Sequence, residues 1–331
     1  MRAVTIPQPG GPEALVLAEV PDPVPGPGEV LIDVVAAGLN RADVQQRRGY
    51  YPPPPGAPGY PGLEVSGRIS AATAPEVLRA HGFTVGQPVL ALLAGGGYAE
   101  KVAVPAGQVV PLPEGIDLVE AAGLPEVAAT VYANLVMAAR LRAGETLLVH
   151  GATGGIGSFA IQFGKAMGAT VLATASGPEK CRDALALGAN EAIDYRSEDF
   201  VLASQLRGGA NVILDVVGGA YLERNLEALA LGGRLVVIAL QGGSTAELNL
   251  ATLMGKRASI IGTTLRARPV EEKSQIMARL VSEVWPLVSS GAIRPMIDRT
   301  FPLDEVQAAH EYFDSGQHRG KVMLTMSARP D

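Results

Sequence analysis

One cysteine, Cys181, stands in 331 residues, which excludes an internal disulfide and any multi-cysteine zinc site. Its place in a helical stretch reads as a surface or half-buried residue. Charge is scarce as well: Asp, Glu, Lys and Arg make up 18% of the chain, the net charge is -6 and no lysine or arginine run occurs. That excludes the basic stripe with which a protein grips nucleic acid or an anionic membrane. No apolar run is long enough to span a bilayer and no charged-then-apolar leader opens the sequence. A soluble, cytoplasmic protein with no nucleic-acid or membrane partner is expected. Catalytic signatures are missing too. His81, His310 and His318 lack metal-ligand spacing, neither H-E-x-x-H nor G-x-S-x-G occurs, and His150 reads as a core histidine.

Glycine and aliphatic residues are what the chain has in quantity: 40 glycines and a hydrophobic share of 47%. At this length one core stops growing, so two domains are the default. Up to about Leu124 the pattern is short alternating runs such as Glu29–Val35 and Tyr98–Val104, broken by Pro-Gly clusters and by the stiff Pro52–Gly56 loop. This is the grammar of antiparallel strands. From Glu145 the strands become continuous Val/Ile/Leu alternating with helical periods, as in a parallel sheet covered on both faces. Strands are expected at Thr146–His150, Thr170–Ala175, Glu191–Ile193, Val212–Asp215, Arg234–Ala239 and Ser259–Gly262. After about Ala267 one helix pattern runs through Trp285, followed by a short strand, Lys321–Thr325, that returns to the first domain. The reading is α/β: a β-rich first domain over 1–124, a doubly wound Rossmann domain over 125–266, and a return over 267–331 that completes the first domain.

The sequence Thr146-Leu-Leu-Val-His-Gly-Ala-Thr-Gly-Gly-Ile-Gly157 runs an apolar strand into a glycine turn and then a helix. Glycines let the backbone approach a pyrophosphate, whose charge sits on the free N–H groups of the helix N-terminus. The spacing Gly151, Gly154, Gly157 departs from G-x-G-x-x-G, and its place on the first strand of a doubly wound unit is what makes it a dinucleotide site. The second strand ends Ala173-Thr-Ala-Ser176 with no acid to hold a ribose 2′-OH. A hydroxyl and a cation, Ser176 and Lys180, favour the 2′-phosphate of NADP(H) instead. Tyr195, just past the third strand, is placed to line the same adenosine pocket.

The order of domains, together with Gly10-Gly-Pro-Glu13, Asn40-Arg-Ala-Asp43, Gly62-Leu-Glu-Val-Ser-Gly67, Gly95-Gly-Gly-Tyr-Ala99, Leu124-Pro-Glu126 and Gly320-Lys321, resembles the medium-chain dehydrogenase/reductase family. It is similar in particular to that family's zinc-free quinone oxidoreductase branch, whose first domain is GroES-like. Tyr51-Pro-Pro-Pro-Pro-Gly56 and Thr264-Leu-Arg266 bring it nearest the tumour-suppressor-inducible quinone oxidoreductase group. Where zinc-dependent relatives carry the first catalytic cysteine this chain has Asn40, and where they carry Gly-His-Glu it has Gly62-Leu63-Glu64. An amide and an isobutyl group cannot hold zinc, so no metal is expected.

The resemblance implies Asn40 and Thr130 near the nicotinamide, and Gly154, Gly155, Ile156 and Gly157 at the pyrophosphate. It implies Ser176, Gly177, Lys180 and Tyr195 at the adenosine end, with Val217, Leu240, Gln241, Gly242, Thr264, Leu265 and Arg266 in loops closing over ribose and carboxamide. It places Tyr51 and Asn40 as catalytic candidates. Tyr51 would orient an acceptor oxygen or donate a proton, against the competing reading of a packing platform beside Tyr50; Asn40 would donate to the acceptor oxygen. Glu64 and Glu126 read as buried acids with nothing to pair them. The activity implied is NADPH-dependent, metal-free reduction of a quinone, by hydride or single-electron transfer. Reduction of activated C=C bonds in enoyl thioesters or alkenals is the alternative. A non-catalytic NADPH-binding or RNA-binding protein is the alternative of another class, and the acidic balance speaks against RNA. A homodimer through the edge of the sixth Rossmann strand is the assembly implied.

Overall fold

A computed structural model describes residues 1–326. The chain divides into two compact units: Met1–Ala129 with Leu265–Gly291 and Pro295 onward, and Thr130–Thr264 with Ala292–Arg294.

The second unit is built on a six-stranded sheet whose neighbours, in order, are Glu191–Asp194, Thr170–Ala175, Thr146–His150, Ala210–Asp215, Leu229–Val237 and Ser259–Gly262, all parallel. Numbered along the chain the order is 3-2-1-4-5-6, the Rossmann order. The middle strands are buried along nearly their whole length, as continuous aliphatic runs require, whereas the edge strand Ser259–Gly262 is mostly exposed. The fifth strand starts earlier than expected, at Leu229 rather than Arg234, because Ala210 pairs with Leu229 ahead of a register shift. In the helix Gly155–Ala166, Phe159, Ala160 and Phe163 are buried, as the sequence period predicts, while Ile156 and Met167 are half-buried. His150 is a core histidine: it meets Thr174 Oγ1 at 3.0 Å and Asn225 Oδ1 at 2.7 Å, edge-on to the rings of Phe200 and Tyr221. Burial lowers its pKa to about 4.

In the first unit the sheet runs Ile297–Pro302, Lys321–Thr325, Glu29–Gly38, Glu64–Ala72, Pro88–Leu92 and Val109–Pro111, with Lys101–Pro105 also on Glu29–Gly38. All pairs are antiparallel except the first, which is parallel. Met323, Leu324 and Thr325 pair with Gly38, Ala37 and Ala36, so the last strand lies in this sheet. The final segment is richer than expected. A strand, Ile297–Pro302, and a helix, Val306–Asp314, precede the return, and the helix buries Val306, Ala309, His310 and Phe313. The spacing of those four fits a helix, but the polar residues between them dilute the apolar period. His310 accepts from Arg47 Nη1 at 3.1 Å while Arg47 Nη2 donates to Asp314 at 2.6 Å, pinning this helix to Arg41–Arg47. No helix among the described residues is long and apolar enough to cross a membrane.

Candidate functional site

In the second unit the expected dinucleotide seat is formed largely by backbone. Gly151 has φ 76°, the strand Thr146–His150 ends just before it, and the helix Gly155–Ala166 starts just after Gly154. No side chain caps that helix, so its first N–H groups are left for an anion, with the positive end of the helix dipole behind them. A Cβ at Gly157 would overlap the carbonyl oxygen of Gly151 and lie 2.8 Å from its carbon, whereas one at Gly154 would meet only Gly151 O at 3.6 Å. Gly157 thus closes the turn on the helix, and Gly154 leaves open space where a phosphate fits. An uncapped helix start behind a glycine turn fits the chemistry of a pyrophosphate.

At the ends of the next strands, Gly177 (φ 85°) follows Ser176, and both are half-buried, as is Lys180 on the helix Pro178–Ala186. Tyr195 is 42% exposed and donates its N–H to Ala175 O at 3.2 Å, so its ring stands at this edge. Two groups here were not foreseen. Arg196 Nη1 lies 3.8 Å from where a Cβ on Gly177 would be, bringing a further cation to the end expected to hold adenosine. Asp194 accepts from the Gly177 and Arg196 N–H groups at 2.9 and 3.2 Å, which holds its carboxyl below the usual range. Its acidic charge is thus spent on ordering the turn. Asp215, at the end of the fourth strand, accepts from Val217 and Gly218 N–H at 2.7 and 3.0 Å, and burial raises its pKa to about 6. Val217 O accepts in turn from Gly242 N–H at 2.7 Å, while Leu240, Gln241 and Gly242 are exposed. Thr130 O accepts from Asn134 Nδ2 at 2.7 Å, and Asn134 Oδ1 takes the Thr263 hydroxyl at 2.6 Å, inside a π-helical turn over Ala133–Ala138. Thr264 is exposed beside it.

In the first unit the site is made of side chains, and of charged ones. Asn40 opens the helix Arg41–Arg47 with a capping box: Asn40 N donates to Asp43 Oδ2 at 2.8 Å. The Asn40 amide is fixed in one orientation, with Nδ2 donating to Glu64 Oε1 at 2.9 Å and Gly38 O at 3.3 Å, and Oδ1 accepting from Lys321 Nζ at 2.8 Å. Lys321 completes the ring with Glu64 Oε1 at 2.5 Å and Leu39 O at 2.8 Å. A Cβ at Gly38 would run into Glu64 Oε1 and lie 3.1 Å from Lys321 Cε, so this pair exists because position 38 is glycine. Both Asn40 amide hydrogens are therefore already committed, and donation to an acceptor would have to displace Glu64 or Gly38.

The two acids expected to stand apart are instead connected. Glu64 Oε2 accepts the backbone N–H of Glu126 at 2.9 Å, and burial, reinforced by the Glu64 charge, lifts the Glu126 carboxyl to about 8. Sequence spacing could not reveal this, because it depends on the strand Glu64–Ala72 meeting the start of the helix Pro125–Tyr132. Asp43 is fully buried, accepts from Gly62 N–H at 2.9 Å and from Tyr98 Oη at 3.2 Å, and is raised by burial to about 6. Its signal was present in the sequence as an Asn-x-x-Asp capping box.

Arg266 is only 3% exposed, and Leu265 beside it is buried. The Arg266 guanidinium donates to Ala94 O at 2.7 Å, Tyr51 O at 3.2 Å and Gln46 Oε1 at 2.6 Å, and stands 5.4 Å over the Tyr51 ring. Arg266 clamps the Tyr51 loop within the first unit. Burial raises the pKa of the Tyr51 phenol, with Arg266 opposing and Glu126 adding to the shift. Lys273, which also escaped the sequence reading, is buried with Nζ 3.3 Å from Arg266 O, and its pKa is lowered by burial. Among the described residues no group of three or more His, Cys, Asp or Glu side chains is placed to hold a metal. Cys181 is half-buried on its helix.

A model of the alcohol dehydrogenase GroES-like domain matches residues 26–114, and a zinc-binding dehydrogenase model matches residues 187–324. The chain is 34% identical over 332 residues to the human quinone oxidoreductase, covering 98% of each chain. It is 29% identical over 338 residues to a 2-haloacrylate reductase of Burkholderia sp, covering 99% of this chain and all of that one. Among solved structures it is similar to the quinone oxidoreductase of Thermus thermophilus, determined alone and in complex with NADPH, with 34% identity, a TM-score of 0.82 and 98% and 100% of the two chains covered.

Proposed function

The chain belongs to the medium-chain dehydrogenase/reductase family, and on that premise we propose that it is an NADPH-dependent quinone reductase acting without a catalytic metal. The observation that carries the reading is Asn40. At the position of the first metal-binding cysteine in zinc-dependent relatives stands an amide locked by Glu64 and Lys321, with Leu63 at the next ligand position. No thiolate or imidazole is offered there, so polarisation of an alcohol by zinc has no ligand set to support it. A quinone needs no Lewis acid, because its reduced oxyanions are comparatively stable. The reduced nicotinamide supplies a hydride, and the protein's part is to bind, orient and exclude water.

In this reading Gly154, Gly155, Ile156 and Gly157 bind the pyrophosphate, and Ser176, Gly177, Lys180, Tyr195 and Arg196 bind the adenosine end. Val217, Leu240, Gln241, Gly242 and Thr264 are the loop positions assigned to ribose and carboxamide, with Thr130 at the nicotinamide. Tyr51 touches the acceptor, while Asn40 shapes its site through its lock on Glu64 and Lys321. Support for NADPH over NADH comes from two cations, Lys180 and Arg196, near a strand end without a free acid. Replacing Arg196 by Ala is expected to raise the NADPH Kd about 10-fold while leaving NADH nearly unchanged, measured by fluorescence titration. Equal loss for both cofactors would remove Arg196 from the 2′-phosphate.

Reduction of an activated C=C bond is the second reading, favoured by the full-length similarity to the 2-haloacrylate reductase. A panel of ortho- and para-quinones, alkenals, haloacrylate and enoyl thioesters, followed by NADPH or NADH absorbance, separates the two. Quinones should give the highest kcat/KM, and NADPH binding without turnover of any acceptor would overturn both. The exposed edge strand Ser259–Gly262, with Ile260 37% exposed, suits pairing across a two-fold axis. A homodimer in light scattering is expected.

A further inference from the structure

Glu126 stands out among the buried charged groups of the first unit because its carboxyl is incompletely used. Asp43 is held by two backbone N–H groups and Tyr98, and Glu64 by Lys321, Asn40 and the Glu126 N–H. Glu126 Oε2, in contrast, is buried with no hydrogen-bond partner among the described residues, in a residue that as a whole is half-buried. A buried carboxyl oxygen without a partner is costly unless another molecule supplies one. Tyr51 and Asn40 are likewise half-buried, so three polar side chains of one unit keep an open side.

We propose that Glu126 is the acid that protonates the reduced acceptor, its carboxyl O–H directed at the acceptor oxygen held beside Tyr51. The proposal rests on the quinone-reductase reading. Two electrons and one hydrogen reach the quinone as hydride from NADPH, leaving NADP⁺ and a hydroquinone monoanion. The Glu126 O–H bond breaks, a new O–H bond forms on the hydroquinone oxygen, and the carboxylate left behind takes a proton from water. Per turnover NADPH, quinone and one proton become NADP⁺ and hydroquinone.

The neighbours suit that cycle. Facing Glu126 are Glu64 from its strand, Lys321 from the return strand, Asp43 from the helix Arg41–Arg47, Lys273 from the helix Val270–Arg279, and Tyr51 and Arg266 from their loops. Burial and the Glu64 and Asp43 charges keep the carboxyl protonated at neutral pH, while Lys321 and Lys273 stabilise the carboxylate once the proton has left. The shift to about 8 runs against the start of the helix Pro125–Tyr132, where the dipole favours an anion, so it reflects the side-chain surroundings.

The test is the pH dependence of quinone reduction by wild type, Glu126→Gln and Glu126→Asp. Wild-type kcat should fall as pH rises through about 8, because the neutral donor is lost. In Glu126→Gln, which keeps a neutral side chain of the same shape, kcat should drop about 100-fold and the alkaline limb should vanish, with NADPH Kd unchanged. The loss should grow with the basicity of the hydroquinone oxyanion across a series of quinones. Glu126→Asp should restore part of kcat with a displaced limb. A Glu126→Gln enzyme within about two-fold of wild type that keeps its alkaline limb overturns the acid role and leaves the quinone reading intact. Should the Gln variant not fold, a wild-type profile flat from about pH 6 to 9 overturns it equally. A wild type that reduces no quinone at all sinks the underlying reading and this inference with it.

Discussion

The two units carry polar groups in opposite ways. In the second, the proposed dinucleotide seat is built from main chain: a glycine turn, an uncapped helix start, and acids such as Asp194 and Asp215 whose oxygens hold backbone N–H groups. In the first, the site is a cluster of buried charged side chains, with Lys321, Glu64 and Asn40 in one hydrogen-bonded ring and Glu126, Lys273 and Arg266 beside it. Main-chain sites need only the right local conformation and depend on few side-chain identities. Side-chain clusters depend on every member, since a buried charge that loses its partner is left uncompensated. The pyrophosphate seat should therefore be tolerant except at its glycines, and the acceptor end intolerant throughout.

The sharpest way to break this contrast is Lys321→Met. It strands the fully buried Glu64 beside Asn40, and a cost of about 3–5 kcal/mol in urea unfolding is expected, with little change in NADPH Kd. A cost below about 1 kcal/mol would mean that the buried pair contributes little to stability. Next comes Gly157→Val. The added side chain would overlap Gly151 O, and overpacking of about 1–3 kcal/mol should appear as a rise of roughly 10- to 100-fold in NADPH Kd, measured by titration calorimetry. An unchanged Kd would show that the turn is not the pyrophosphate seat.

The smallest effect is the response to pH. His150 in the second unit and His310 in the first have folded pKa values lowered to about 4 and about 3. Their contributions are present above the unfolded value of 6.5 and are lost as pH falls through that window. Asp43, Asp215 and Glu126 have raised values of about 6, 6 and 8, so their contributions are present at low pH and lost as pH rises through those values. Above about pH 7 only Glu126 of these five still titrates. Thermal melts from about pH 7 to 9 should show a loss of about 1 kcal/mol in wild type that Glu126→Gln abolishes. A loss that persists in the variant would assign it elsewhere.

Local pattern was enough for the Rossmann half. Continuous aliphatic strands, helical periods and the Gly151–Gly157 turn are short-range features, and the sheet formed where they indicated. Leu229 joined its strand ahead of a register shift, which no period announces. In the other half, alternating runs revealed strands but not which acids would meet. Lys321 stood out in Gly320-Lys321 at the head of an apolar strand but with no partner indicated, Val306–Asp314 is diluted by polar residues, and the groups that Arg266 donates to, on Ala94, Tyr51 and Gln46, lie far from it in sequence.

By itself the sequence determined the absence of thiol and imidazole ligands at positions 40 and 63, the α/β plan and the place of the glycine turn between strand and helix, because each depends on residue identity or local periodicity. Only the tertiary structure decided that Glu64 and Glu126 are neighbours, that Lys321 reaches Asn40 across 281 residues of chain, and that Glu126 is left with an unpartnered oxygen. Those outcomes depend on long-range strand register and on burial. A charged group's ionisation is set by what surrounds it in space, and the linear sequence does not contain that distance.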